Sequence, residues 1–185
     1  MKLLRPLSAP WMIDPSMPKL TLISEENGRQ LVKFCGLFAY GSVASAPVES
    51  VIVDDGDALL VNLNEKSARY QLISLRFELL GWLRRYPQYS DREVVHESDY
   101  DWSCVSGCIR NDESVDDWIK RYQQEWIDTG VCPNPGAYVV ENSDWDVGPD
   151  KDRYNLKHFL IIGESTFIEV LAQDCSWISE GNISR

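Results

Sequence analysis

A chain of 185 residues and 21.2 kDa, 44% hydrophobic and 11% aromatic, carries enough apolar side chain for one ordinary core, so a single domain over 1–185 is expected. Eighteen Lys and Arg against 29 Asp and Glu give a formal charge of −11 and a pI near 4.6, a field that repels phosphate backbones and attracts basic partners. No apolar run approaches the roughly 20 residues that span a bilayer, Met1-Lys2-Leu3-Leu4-Arg5-Pro6 lacks the apolar block of a secretion signal, and an odd count of five cysteines argues against a disulfide scaffold, so the expectation is reduced thiols, no membrane and a cytoplasmic location.

Pro6, Pro10, Pro15 and Pro18 each remove a backbone donor, which predicts an extended arm over 1–18 and neither a helix nor a central strand. Lys19 to Ser24 and Gln30 to Phe34 alternate around Asn27-Gly28, a pair suited to the positive dihedrals of hairpin turns. Glu49 to Val53 and Ala58 to Leu63 repeat the pattern around Asp54, Asp55 and Asp57 and predict a second hairpin with an acidic tip. Asn64 can cap a helix over about 65–86, in which Leu72, Leu75, Leu79, Leu80 and Leu83 mark a buried stripe and Pro87 closes the element. Gln88 to Arg110 shows no clean period and reads as loop, with a short strand possible at Glu93 to His96.

The strongest local signals begin at Asp112. Four carboxylates around Ser114 suit a helix start, where backbone N–H groups are free and the macrodipole is positive. Val115, Trp118, Ile119, Tyr122 and Trp126 then recur at spacings of three and four and predict a core-facing stripe on a helix over 114–129. Gly130, Pro133 and Pro135 end it. Ala137 to Val140 reads as a strand. Ser143 to Arg153, with Asp144, Asp146, Asp150 and Asp152, reads as an exposed loop, and Leu156 to Ile162 with Thr166 to Ala172 form a hairpin around Gly163. Beyond Trp177 a loose tail is expected over 178–185. The fold class that follows is α+β: an antiparallel sheet built from hairpins and packed against two main helices, about 65–86 and 114–129.

Residues with chemical potential are sparse. Cys104 and Cys108, with His96 and Cys132, offer soft zinc ligands, but the three-residue gap is loose and the other two lack a compact pair, so no metal is assigned. The aspartate clusters lack the full spacing and terminal glutamate of a calcium loop, and no glycine-rich phosphate loop or dinucleotide fingerprint occurs, so no cofactor is assigned. His158 opens an apolar strand and reads as a core-edge residue making one hydrogen bond rather than as a catalytic group. No Gly-x-Ser-x-Gly elbow surrounds Ser103 or Ser106, and no catalytic residue is assigned. Trp145 differs from the other tryptophans, because it stands between Asp144 and Asp146 in a loop where an aromatic can anchor a partner.

The segment from Trp118 through Val131-Cys132-Pro133-Asn134-Pro135-Gly136-Ala137-Tyr138 and Ser143-Asp144-Trp145 to Lys157-His158-Phe159-Leu160 and Phe167-Ile168-Glu169-Val170 resembles a pattern of small uncharacterised bacterial proteins, over about residues 118–170. In character, as an acidic, single-domain, cofactor-free bacterial protein, the chain is similar to the immunity proteins that neutralise toxins. The resemblance implies no established activity. The expectation is a protein-binding module, an immunity protein facing a basic toxin surface, with Asp54, Asp55, Asp57, Asp144, Trp145 and Asp146 as its contacts. Two alternatives accompany it: a small hydrolase or transferase using Cys132 or Cys108 with a histidine, and an inhibitor whose carboxylates imitate nucleic acid.

Overall fold

The structure is a computed structural model that describes residues 1–14, 19–25, 30–39, 70–87, 96–163 and 166–182. The predicted second hairpin, Asn64, and the candidates Asp54, Asp55 and Asp57 lie outside the described residues. In chain order the strands are β1 (Lys2–Pro6), β2 (Trp11–Ile13), β3 (Thr21–Ser24), β4 (Gln30–Phe38), β5 (Tyr70–Glu78), β6 (Trp82–Pro87) and β7 (Tyr100–Asp101). Helix α1 (Val115–Thr129) follows, then β8 (Ala137–Glu141), the single-turn α2 (Asp150–Arg153), β9 (Lys157–Ile162), β10 (Thr166–Ala172) and β11 (Asp174–Asn182).

These strands form two sheets. One has six strands in the order β6-β10-β9-β8-β1-β7, antiparallel except for the parallel β1–β7 pair; the other has the order β11-β5-β4-β2 with β3 also on β4. The inward side chains of both fill one core: Trp11, Val32, Phe34, Ile73, Leu75 and Phe77 from one sheet meet Phe159, Ile161, Ile168 and Val170 from the other. Each such side chain removed from water contributes about 1.5–3 kcal/mol. The sheets join at a double corner. β5 runs into β6 through Leu79–Gly81 and β10 runs into β11 through Gln173, so one long antiparallel ladder bends from one sheet into the other, tied by Gly81 N to Leu171 O (2.8 Å) and Gln173 N to Glu78 O (2.9 Å).

The α+β expectation of two main helices is overturned. Of the described residues 48% lie in strands and 16% in helices, and only α1 is longer than a single turn. The error falls on about 65–86, whose described part is β5, the corner and β6. Gln71 to Leu75 are buried at consecutive positions because β5 lies between β4 and β11 with both faces covered. A strand buried on both faces is continuously apolar and lacks the alternation that separates a strand from a helix.

The helix over 114–129 is present. Ser114 Oγ accepts the amide of Asp117 at 3.1 Å, and Gly130 closes α1 in the left-handed region at φ 68°. Its stripe is rotated from the expected one: Trp126 is buried and Trp118 and Tyr122 half-buried, while Val115 and Ile119 face outward. Arg121 clamps the preceding loop, donating to both carboxylate oxygens of Glu113 (2.7 and 2.9 Å) and to the carbonyls of Ser106 and Cys108.

The first hairpin forms as β3 and β4, and the last as β9 and β10. The arm is extended, but β1 is an interior strand between β8 and β7, its prolines confined to and beyond its end. Residues 178–182, expected to be loose, belong to β11 and pair with β5. Among the described residues no helix is long and apolar enough to cross a membrane.

Candidate functional site

Alternation along the strands decides which side chains meet on the outer face of the six-stranded sheet. Phe159 and Ile161 of β9 and Ile168 and Val170 of β10 point into the shared core, so His158 and Glu169 point away from it. The register sets Arg84 opposite Glu169, Leu171 and Val140 on either side of His158, and Lys2 opposite Tyr100. The loop after β8 folds over this face. Together they enclose a cleft of about 440 Å³ lined by Lys2, Arg84, Tyr86, Asp99, Tyr100, Asp144, Trp145, Asp146, His158 and Glu169, within the roughly 300–1,000 Å³ of small-ligand sites.

The loop wall is held at several points. The Lys151 ammonium donates to the carbonyls of Ser143 (3.2 Å) and Trp145 (3.1 Å), and Asp146 Oδ1 accepts the amide of Gly148 at 2.7 Å. Lys2 pairs with Asp144 at 2.9 Å, and its donated hydrogen bond holds that carboxyl below the usual carboxylate range. Trp145 is not the exposed anchor expected between two aspartates. It is 5% exposed, packed with Leu156 and Leu171, set edge-to-face on His158 with centroids 5.1 Å apart, and covered by the Arg84 guanidinium 4.0 Å from its ring centroid. An indole so large is more stable turned inward over Leu171 than left in water.

At the floor, the His158 side chain is 1% exposed. Its Nδ1 lies 2.8 Å from Ser143 Oγ, which also accepts the amide of Trp145. Its Nε2 lies 3.2 Å from Glu169 Oε1, near enough for electrostatic attraction, yet the two are not aligned as a hydrogen bond, and no other protein atom partners that nitrogen among the described residues. A hydroxyl can pair with either tautomer: Ser143 donates to Nδ1 when the ring proton is on Nε2 and accepts from it when the proton is on Nδ1.

Burial pushes the Glu169 carboxyl up, but the imidazole, the Tyr86 hydroxyl and the Arg84 charge outweigh it, so Glu169 titrates below its ordinary value and remains a carboxylate at neutral pH. Tyr86 is pushed up by burial and by Glu169, and Tyr100 by burial first and then by the surrounding carboxylates, so both phenols stay protonated. The lining holds four carboxylates, Asp99, Asp144, Asp146 and Glu169, against two cations. Lys2 is engaged with Asp144 and Arg84 with the ring of Trp145, whereas Asp99 and Asp146 are exposed and make no ion pair among the described residues.

The cysteines lie elsewhere. Cys132 is buried against Tyr122, whose hydroxyl is 3.2 Å from its sulfur, and burial pushes its thiol up to about 12. Neither Cys132 nor Cys108 lines the cleft, and the structure does not bring either to His158. Ser143 does not line it either, so its hydroxyl serves the imidazole and the loop. Among the described residues no three His, Cys, Asp or Glu side chains gather as a metal-binding group.

No family model, curated protein or solved structure matches the chain. A functional reading therefore rests on the cleft. Of the candidate contacts, Asp144 and Asp146 stand at its rim and Trp145 forms its wall. The residues that sequence reasoning missed are Lys2, Arg84, Tyr86, Asp99, Tyr100, His158 and Glu169. For two of them a signal existed: His158 and Glu169 occupy outward positions in otherwise apolar strands, where a charge needs a partner or a function.

Proposed function

We propose that this protein is a cytoplasmic binding module for another protein with a basic surface, and that it acts as an immunity-type inhibitor of a bacterial toxin. The observation that carries this reading is the imbalance at the cleft, where Asp99 and Asp146 make no ion pair among the described residues and stand beside two cations already engaged within the protein. The net charge of −11 extends the same sign over the molecule and would steer a cationic partner toward it. The resemblance in character to immunity proteins points the same way. A cysteine-dependent reaction draws no support, since burial makes Cys132 a poor nucleophile. Imitation of nucleic acid draws little, because Lys2 and Arg84 interrupt the carboxylates.

The test is capture from a host lysate at low and at high ionic strength, followed by co-expression of the chain with the captured protein. The reading expects a basic protein, released by salt, whose toxicity the chain abolishes. Retention of no protein, or of one whose action is unchanged by the chain, overturns it.

A further inference from the structure

We propose that the cleft receives a lysine side chain of the basic partner, its ammonium lodged between Glu169 and His158 on the cleft floor. This rests on the reading of the protein as a binder of a basic partner and names the group that the cleft accepts.

Two observations converge. The first is charge: four carboxylates face two committed cations, so the cleft has room for added positive charge and not for negative. The second is the buried His158 imidazole, whose Nε2 is itself covered and has no aligned hydrogen-bond partner among the described residues, so an ammonium reaches it by displacing part of the cover on the floor. His158 Nε2 and Glu169 Oε1 lie 3.2 Å apart without a hydrogen bond between them, and both residues line the cleft. Two atoms at that separation can both lie within hydrogen-bond reach of a single nitrogen. An ammonium carries three donors and no acceptor, so it can bond to the carboxylate and to the imidazole and still present a third toward the mouth. Lysine also has a slender stem, which suits a site whose floor is covered and whose wall is the bulky Trp145.

Ser143 makes the imidazole adaptable. A hydroxyl can donate to Nδ1 or accept from it, so when an ammonium arrives the histidine can carry its proton on Nδ1, through exchange with solvent, and offer the Nε2 lone pair to the ligand. Binding therefore selects the Nδ1–H tautomer of His158. Asp99 and Asp146 at the rim add attraction for the incoming charge.

The experiment follows the histidine rings of ¹⁵N-labelled protein by NMR while Nα-acetyl-lysine methylamide is added. Only His96 and His158 occur in the chain, so the signals are assigned with one substitution. The proposal expects saturable movement of the His158 ring nitrogens toward the Nδ1–H tautomer, no such movement with the Nε-acetylated probe, and dissociation constants raised roughly thirtyfold or more in Glu169→Gln. Should Glu169→Gln fail to fold, the double variant Asp99→Asn/Asp146→Asn carries the same test through a weakened rim. Unmoved His158 signals, equal movement with the acetylated probe, or binding untouched by the variants overturns it. If a basic partner is captured and neutralised while these signals stay still, the inference falls and the binding function stands.

Discussion

Arg84 of β6 lies over the indole of Trp145, its guanidinium carbon 4.0 Å from the ring centroid, so a strand side chain pins the loop that walls the cleft. The ring also rests on His158, Leu156 and Leu171. Trp145→Ala removes all of these contacts and is expected to cost about 3–5 kcal/mol, whereas Arg84→Met leaves the indole in place, removing its cation–π contact and the charge beside Glu169, and is expected to cost about 2 kcal/mol or less. Urea unfolding midpoints of the two variants check the contrast. A Trp145→Ala protein as stable as Arg84→Met would mean that the loop does not rest on the sheet in this way.

Two glycines are expected to resist alanine for different reasons. At Gly107 an added Cβ would stand 2.6 Å from Asn134 Cβ and 2.9 Å from the Pro133 carbonyl carbon, so overpacking should cost about 1–3 kcal/mol. At Gly130 nothing lies within 4 Å, but φ is +68°, and the left-handed conformation alone should cost about 1–2 kcal/mol. Replacing Gly130 with Asn should recover part of its loss, and replacing Gly107 with Asn should deepen its own; thermal melts of the four variants decide.

Acid should loosen the seam between α1 and the loop before it. Two hydrogen bonds from Arg121 and one from the Arg110 amide hold the Glu113 carboxyl at about 2, against an ordinary value of 4.5. Because the folded-state value is the lower one, the contribution is complete above about 4.5 and disappears as pH falls toward about 2. Glu169, also depressed, adds to the same trend. Glu113→Gln is expected to flatten stability against pH across that interval, as followed by urea unfolding. A slope unchanged from that of the parent protein would remove Glu113 from the account.

The thiols should divide sharply by exposure. Cys104 is exposed, whereas Cys35 and Cys132 are 1% exposed with thiols pushed up to about 12, chiefly by burial. Ellman's reagent at neutral pH should modify Cys104 rapidly, Cys104→Ser should abolish that phase, and Cys35 and Cys132 should react only as the protein unfolds. Rapid modification of Cys132 in the folded protein would contradict its placement against Tyr122.

Legibility in the sequence followed the range of the interactions involved. The limits of α1 were readable because Ser114 and Gly130 act on their own neighbours, and the β9–β10 pairing because both strands adjoin one turn. The stripe on α1 lies part of a turn from the one its spacing predicts: Trp118, Tyr122 and Trp126 face the protein, and the partner that fixes Trp126, the Pro10 carbonyl accepting from its Nε1, is distant in the chain. The sequence of β5 reads as helix because its cover on both faces erases the alternation of a strand. Asp144 and Asp146 stood out locally, but nothing near them in sequence announces Lys2, Arg84 or Glu169, which reach the cleft only through the register of separate strands.

The placement of β1 governs the order in which the cleft can be assembled. Lys2–Pro6 is made before both of its partners, Tyr100–Asp101 and Ala137–Glu141, so Leu3 must wait for Glu141 to be synthesised. Contacts this distant in the chain make closure slow. Nascent chains halted before β8 would therefore carry Lys2 without its place in the cleft, and nothing that depends on that cleft could begin until β8, β9 and β10 have all emerged.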